Sequence, residues 1–114
     1  MIKTTEQGQK AESVVAELLG QEGFEVIGRN WKTKVCEIDI VARKNGIVYF
    51  IEVKYRRDEF QGDGFEYITP QKLRKMVFAA QVWCQADGWA GDYRLMAAAV
   101  SGADCEEIRL IELD

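Results

Sequence analysis

Apolar positions along this chain recur with two periods, and the switches between them mark out its elements. From Thr5 to about Gln21, Ala11, Val14, Val15, Leu18 and Leu19 fall at helical spacing and form one stripe of an amphipathic helix, with Thr4 or Thr5 placed to cap its start. Gly23 ends it. Phe24 to Ile27 then read as a short strand, and Gly28-Arg29-Asn30-Trp31 as a turn or strand edge. Between Val35 and Lys54 the period becomes two. Alternating runs flank Asn45-Gly46, the dipeptide suited to a type I′ turn because both central residues must accept positive φ, so a β-hairpin is predicted. Tyr55 to Gly64 loses its period and gains glycine and charge, as loops do. Thr69 and Pro70 supply an N-cap and an N1 residue for a second helix, whose inward stripe is Leu73, Met76, Val77, Ala80 and Trp83 or Cys84. Asp87 to Gly91 break that helix. Arg94 to Val100 is nearly continuous small apolar sequence, expected of a strand covered on both faces, and Ile108 to Leu113 reads as a final edge strand. The order α-β-β-β-α-β-β predicts a mixed central sheet flanked by helices, an α/β chain of the α+β kind.

The turn of the hairpin sets its register. If Asn45 and Gly46 form the whole loop, Lys44 faces Ile47, Asp39 faces Glu52 and Glu37 faces Lys54. Glu37, Asp39, Glu52 and Lys54 then project from one face, at the end away from the turn. Two carboxylates about 5 Å apart at an effective dielectric near 20 repel by roughly 3 kcal/mol, so something must offset them. A shared proton, the Lys54 ammonium or a divalent cation would serve, and the last makes the cluster a catalytic centre rather than a tolerated defect. Glu12 sits at the edge of the first helix's stripe, one turn after Gly8, which weakens the helix but lets another backbone come close. A solvent-edge carboxylate is the plainer expectation for it, and one facing the hairpin the sharper. Gln71, Lys72 and Lys75 lie near the positive end of the second helix, where free amides and dipole favour an anion; the plain alternative is that the lysines serve solubility.

Charge and composition change this picture at a few points. With 114 residues, 47% hydrophobic and 30% charged, residues 1–114 are expected to make one ordinary folded domain. The net charge of −4 argues weakly against nucleic-acid binding. Between Arg29 and Lys75, however, lie eleven of the fifteen basic residues and only seven of the nineteen acidic ones, so the middle is net +4 and the ends −8. A basic band around an acidic cluster suits a polyanion held by phosphate contacts and a metal, or else it is a set of solvated faces. The chain has no histidine. That removes Ser-His-Asp and Cys-His catalysis and every His-ligated metal site, leaving Asp, Glu, Lys, Tyr and Cys. Cys36, Cys84 and Cys105 lack paired spacing and are expected as reduced, buried thiols. Trp31, among Arg29, Lys32 and Lys34, is expected at the core or its rim rather than stacked on a base. No run reaches the length of a membrane span and the largely polar stretch from Met1 to Gln7 lacks a signal peptide's apolar region, so no membrane partner and a cytoplasmic location are the expectations.

Taken together, these motifs resemble the YraN-like uncharacterised bacterial family within the PD-(D/E)xK, or restriction-endonuclease-like, nuclease superfamily, and they are similar to archaeal Holliday-junction resolvases. The residues that carry the resemblance are Gly8 with Glu12, Gly23-Phe24, Asn30-Trp31, Glu37-Ile38-Asp39-Ile40-Val41-Ala42, Phe50-Ile51-Glu52-Val53-Lys54, Arg56 or Arg57, and Thr69-Pro70 with Lys72. The resemblance implies a restriction-endonuclease-like fold with Asp39 and Glu52 as acidic metal ligands and Glu12 as the helical carboxylate of the same centre. Lys54 looks like the lysine that positions or deprotonates the attacking water, and Gln71 or Lys72 like the polar residue of the following helix. Arg56, Arg57 and Lys75 join Gln71 and Lys72 as expected nucleic-acid contacts.

The implied function is a metal-dependent endonuclease that hydrolyses phosphodiester bonds in DNA, branched DNA among its substrates, and that acts as a homodimer by similarity to the resolvases. Mg²⁺ or Mn²⁺ is the expected cofactor, because hard oxygen donors suit either ion and a bound cation activates water without histidine. The alternative is a catalytically inactive nucleic-acid-binding module, or an interaction subunit, of the same fold. Three positions depart from the family pattern. Cys36 stands where relatives usually carry Gly, Lys10 lies in a stretch where they often show Arg and Gly, and Met96 replaces an aspartate common in their later strand.

Overall fold

The computed structural model describes residues 6–58 and 62–113. The expected caps Thr4 and Thr5, and Glu59, Phe60 and Gln61 of the predicted loop, lie outside the described residues. Helix α1 spans Glu6–Gln21 and buries Gly8, Ala11, Glu12, Val15 and Leu19, positions that share one face at helical spacing. Glu12 belongs to that buried stripe. Its side chain is only 1% exposed, which corrects the solvent-edge expectation: the apolar stripe is wide enough to take in position 12, and the buried Gly8 contributes no side chain one turn away.

Strand β1, Glu25–Lys32, runs on through Gly28 to Trp31, which the sequence suggests as a turn or strand edge. The turn-like residues are irregularities inside it. The register shifts between Val26 and Gly28, and Asn30 holds a φ of 52°, a conformation that Asn tolerates better than most residues. Pairing with the next strand resumes on both sides, Gly28 against Val41 and Trp31 against Ile38.

Strands β2, Glu37–Lys44, and β3, Ile47–Arg56, form the predicted hairpin. Asn45 and Gly46 take φ values of 53° and 77°, both positive as a type I′ turn demands, and Lys44 pairs with Ile47. Helix α2, Pro70–Asp87, follows, with the Thr69 side chain accepting from the Lys72 N–H at 3.1 Å and Gly88 (φ 76°) closing it in the left-handed region. It carries the chain across to β4, Tyr93–Ser101, which pairs parallel with β3; β5, Glu107–Leu113, then pairs antiparallel at the edge. The sheet order is β1-β2-β3-β4-β5, a mixed sheet in the α-β-β-β-α-β-β order expected of the restriction-endonuclease-like resemblance.

The two helices cover opposite faces of that sheet. Ala11, Val15 and Leu19 of α1 pack with Ile40, Ile51, Val53, Ala98 and Val100, while Met76, Ala79, Ala80 and Trp83 of α2 pack with Val41, Val48 and Phe50. Phe50 meets Trp83 edge to face, ring centroids 5.4 Å apart. Leu73, Val77 and Cys84 only border that second core, and Ala79, not expected inside, takes their place in the buried stripe because a small residue lets the helix sit close. Trp31 borders the same core, as expected. Of the three free cysteines only Cys105 is buried; Cys36 and Cys84 are half-buried, which corrects the expectation of three buried thiols. Met96 lies in the α1-side core. No helix among the described residues is long and apolar enough to cross a membrane.

Candidate active site

The ladder between β2 and β3 follows the predicted register from the turn as far as Ile40 against Ile51, and there it stops. Asp39, predicted to face Glu52 across the sheet, instead accepts the backbone N–H of Val53 at its Oδ2, 2.8 Å away. A carboxylate thus replaces a main-chain partner and the two strands part. Beyond the fork β2 stays with β1, Glu37 pairing with Lys32, while β3 stays with β4, Lys54 pairing with Ala99. Ile38 joins the α2-side core although strict alternation from Ile40 would put it on the α1 side, so the backbone rotates at Asp39. The expected pairing of Glu37 with Lys54, and with it a single flat face holding all four charged groups, is therefore corrected. Its cause is the side-chain-to-backbone bond that ends the ladder.

Glu52 emerges on the α2 side of the fork. Lys72 of α2 reaches it at 2.8 Å from Nζ to Oε2, so the residue expected to hold phosphate sits on a carboxylate. Lys54, two residues along β3 and on the same face, is half-buried and makes no ion pair with a described residue. Tyr67, in the connection before α2, completes the surroundings. Its hydroxyl is buried without a hydrogen-bond partner among the described residues. Burial, then the negative charges of Glu52 and Asp39, push that hydroxyl far above the ordinary tyrosine range, with Arg56 pulling the other way. Tyr67 is not among the expected site residues. The sequence places it two positions before a helix cap with no periodicity to give its direction, so only the fold reveals it.

The remaining expected residues fall into two groups. Glu12 is buried in the face of α1 that packs on the sheet, on the side opposite α2, and Asp39 is itself only 6% exposed. Arg56, Arg57, Gln71 and Lys75 are exposed on the rim. Gln71, Lys72 and Lys75 line one open groove with Glu37 and Glu52. No group of three or more acidic or cysteine side chains among the described residues is gathered closely enough to hold a metal ion. The donor chemistry nonetheless suits a small divalent cation, since Mg²⁺ is commonly bound by one or two carboxylates with water and substrate phosphate making up the rest. Asp39 and Glu52 would provide the two, and the Lys72 ammonium on Glu52 marks where positive charge is favoured.

Comparison with known proteins gives family matches over most of the chain. The profile described as uncharacterised protein family UPF0102 matches residues 11–110. A UPF0102 protein of Leifsonia xyli subsp. xyli is 41% identical over 88 residues, covering 77% of this chain and 75% of the relative. One from Vibrio campbellii is 33% identical over 107 residues, covering 90% of this chain and 88% of its own length. Among solved structures, a chain of the EndoMS-dsDNA2 complex superimposes with a TM-score of 0.45 at 16% identity, covering 85% of this chain and 39% of that one.

Proposed function

This chain belongs to the uncharacterised protein family UPF0102, and from the site it carries we propose that it is a metal-dependent endonuclease acting on phosphodiester bonds in DNA. One observation carries the reading: Asp39 and Glu52 flank a fork in the sheet, with Lys54 beside them and a cationic helix end above. Asp39 is buried and Glu52 half-buried there, both near enough to act on the Tyr67 hydroxyl, and carboxylates withheld from solvent in this way are characteristic of functional sites.

In this reading Asp39 and Glu52 would hold Mg²⁺ or Mn²⁺, with Glu12 supporting from beneath. The ion would polarise the phosphoryl group and lower the pKa of an attacking water. The chain's own groups do the rest. Lys54, a compact charge with no competing partner among the described residues, orients that water and steadies charge on the phosphate. Lys72 exchanges Glu52 for a substrate phosphate, and Arg56, Arg57, Gln71 and Lys75 hold the flanking backbone. The Tyr67 hydroxyl, buried without a partner among the described residues and near both carboxylates, would donate to an acceptor on the substrate.

The test is incubation of the purified protein with linear, flapped and four-way-junction DNA in Mg²⁺ or Mn²⁺. Cleavage that Glu52→Ala abolishes and Lys54→Ala slows by roughly 10²-fold or more supports the reading. Cleavage indifferent to Glu52→Ala would overturn it. A second reading, a binding module without turnover, is favoured by the Lys72–Glu52 ion pair, which neutralises one of the two carboxylates. It expects salt-dependent retention of DNA with no product at any metal concentration.

A further inference from the structure

We propose that the groove between the β1–β2 turn and the outer face of α2 is a track for an unpaired nucleic-acid strand that leads to the Asp39–Glu52 fork, with Phe78 as the platform on which a base stacks. The inference rests on the nuclease reading above and supplies the form of its substrate. The groove encloses about 690 Å³, with Lys34 and Val35 on one wall, Lys72, Lys75 and Phe78 on the other, and Glu52 at its inner end.

Neither apolar residue is where folding needs it. Val35 is 71% exposed, yet its turn is held firmly: the Thr33 N–H donates to the Cys36 carbonyl at 2.9 Å, and Thr33 Oγ1 accepts from the Val35 and Cys36 N–H groups at 3.1 and 3.2 Å. Phe78 is 49% exposed on a helix whose core stripe is already filled by Met76, Ala79, Ala80 and Trp83. Positions 71, 74, 75 and 78 share one face of α2, so Gln71, Arg74, Lys75 and Phe78 make a single exposed stripe. Cations beside an aromatic ring are what a single strand uses, the charges holding phosphates and the ring taking a base. A duplex keeps its bases stacked within itself and presents phosphate, so it would engage the lysines and leave Phe78 and Val35 idle. Self-association through this face is disfavoured, since it would bring the same cations against one another.

Fluorescence anisotropy in EDTA, where nothing is cut, tests the proposal with a labelled oligothymidine and a blunt duplex of equal length. The oligothymidine is expected to bind more tightly. Phe78→Ala should weaken it about ten-fold and leave duplex binding unchanged, and Phe78→Trp should restore it. Lys75→Gln should lower the slope of log affinity against log salt by about 0.7. The proposal is overturned if Phe78→Ala leaves oligothymidine binding untouched, or if that change alters sedimentation instead, which would make the face a protein interface. Cleavage that depends on Glu52, with Phe78→Ala silent, would sink this inference alone. Absence of both cleavage and retention for every DNA would sink the nuclease reading with it.

Discussion

Asp39 does two things at once, and any experiment on it must separate them. Its Oδ2 is the acceptor for the Val53 N–H in the middle of a buried strand, while the same carboxyl is one of the two proposed cation ligands. Asp39→Ala would strand that amide and should lower stability by about 1–3 kcal/mol in urea unfolding, so its loss of activity would prove little. Asp39→Asn keeps an acceptor oxygen. It is expected to stay near wild-type stability while losing Mn²⁺ affinity by calorimetry; an Asn variant that binds the ion as well as wild type would remove Asp39 from the proposed site. Lys72 gives the opposite case. Its ion pair with Glu52 is partly buried, the two side chains 35% and 18% exposed, so Lys72→Met should cost about 1–2 kcal/mol and still fold. With the competing ammonium gone, Mn²⁺ should bind more tightly and DNA less tightly, a pair of opposite shifts that a merely structural lysine would not produce.

At the scale of elements, the hairpin is the most legible part of the chain because two independent signals agree: alternation on both arms and a dipeptide that accepts positive φ. Gly46→Val places a β-branched residue at a φ of 77° and should lower stability by about 1–2 kcal/mol, read as a shifted urea midpoint with unchanged slope. Helix α2 is legible for a similar reason, since Thr69 and Pro70 mark its start by residue type alone. Legibility ends where one side chain overrides a pattern. Counting outward from Asn45-Gly46 carries Asp39 to Glu52, but nothing in that count says that Asp39 will take the Val53 amide and split the strands. Burial of Glu12 is equally hidden, since its neighbours on the helix decide how wide the buried stripe becomes. In β1, Gly28 and Asn30 give a correct signal of irregular backbone that sequence alone does not distinguish from a turn. Phe78 falls outside the predicted inward stripe of α2, but nothing in that spacing says that it lines a groove.

Across the whole molecule, the uneven charge acquires a place. Lys34, Lys72, Arg74 and Lys75 come from two distant stretches of the basic middle and meet along one groove, whereas β5, at the opposite edge of the sheet from β1, carries Glu107 and Glu112. A net charge of −4 therefore coexists with one cationic track. The β3–β4 pairing has a further consequence, in the order in which the chain assembles. The β2–β3 hairpin closes over two residues and forms early at small entropic cost, but β3 and β4 lie parallel and cannot join until the whole of α2 has crossed the sheet. Stopped-flow refolding should therefore register Gly46→Val mainly as slower folding. The parallel seam joins late, and the groove between the β1–β2 turn and α2 exists only after α2 has docked, so the cationic track is completed in the last step.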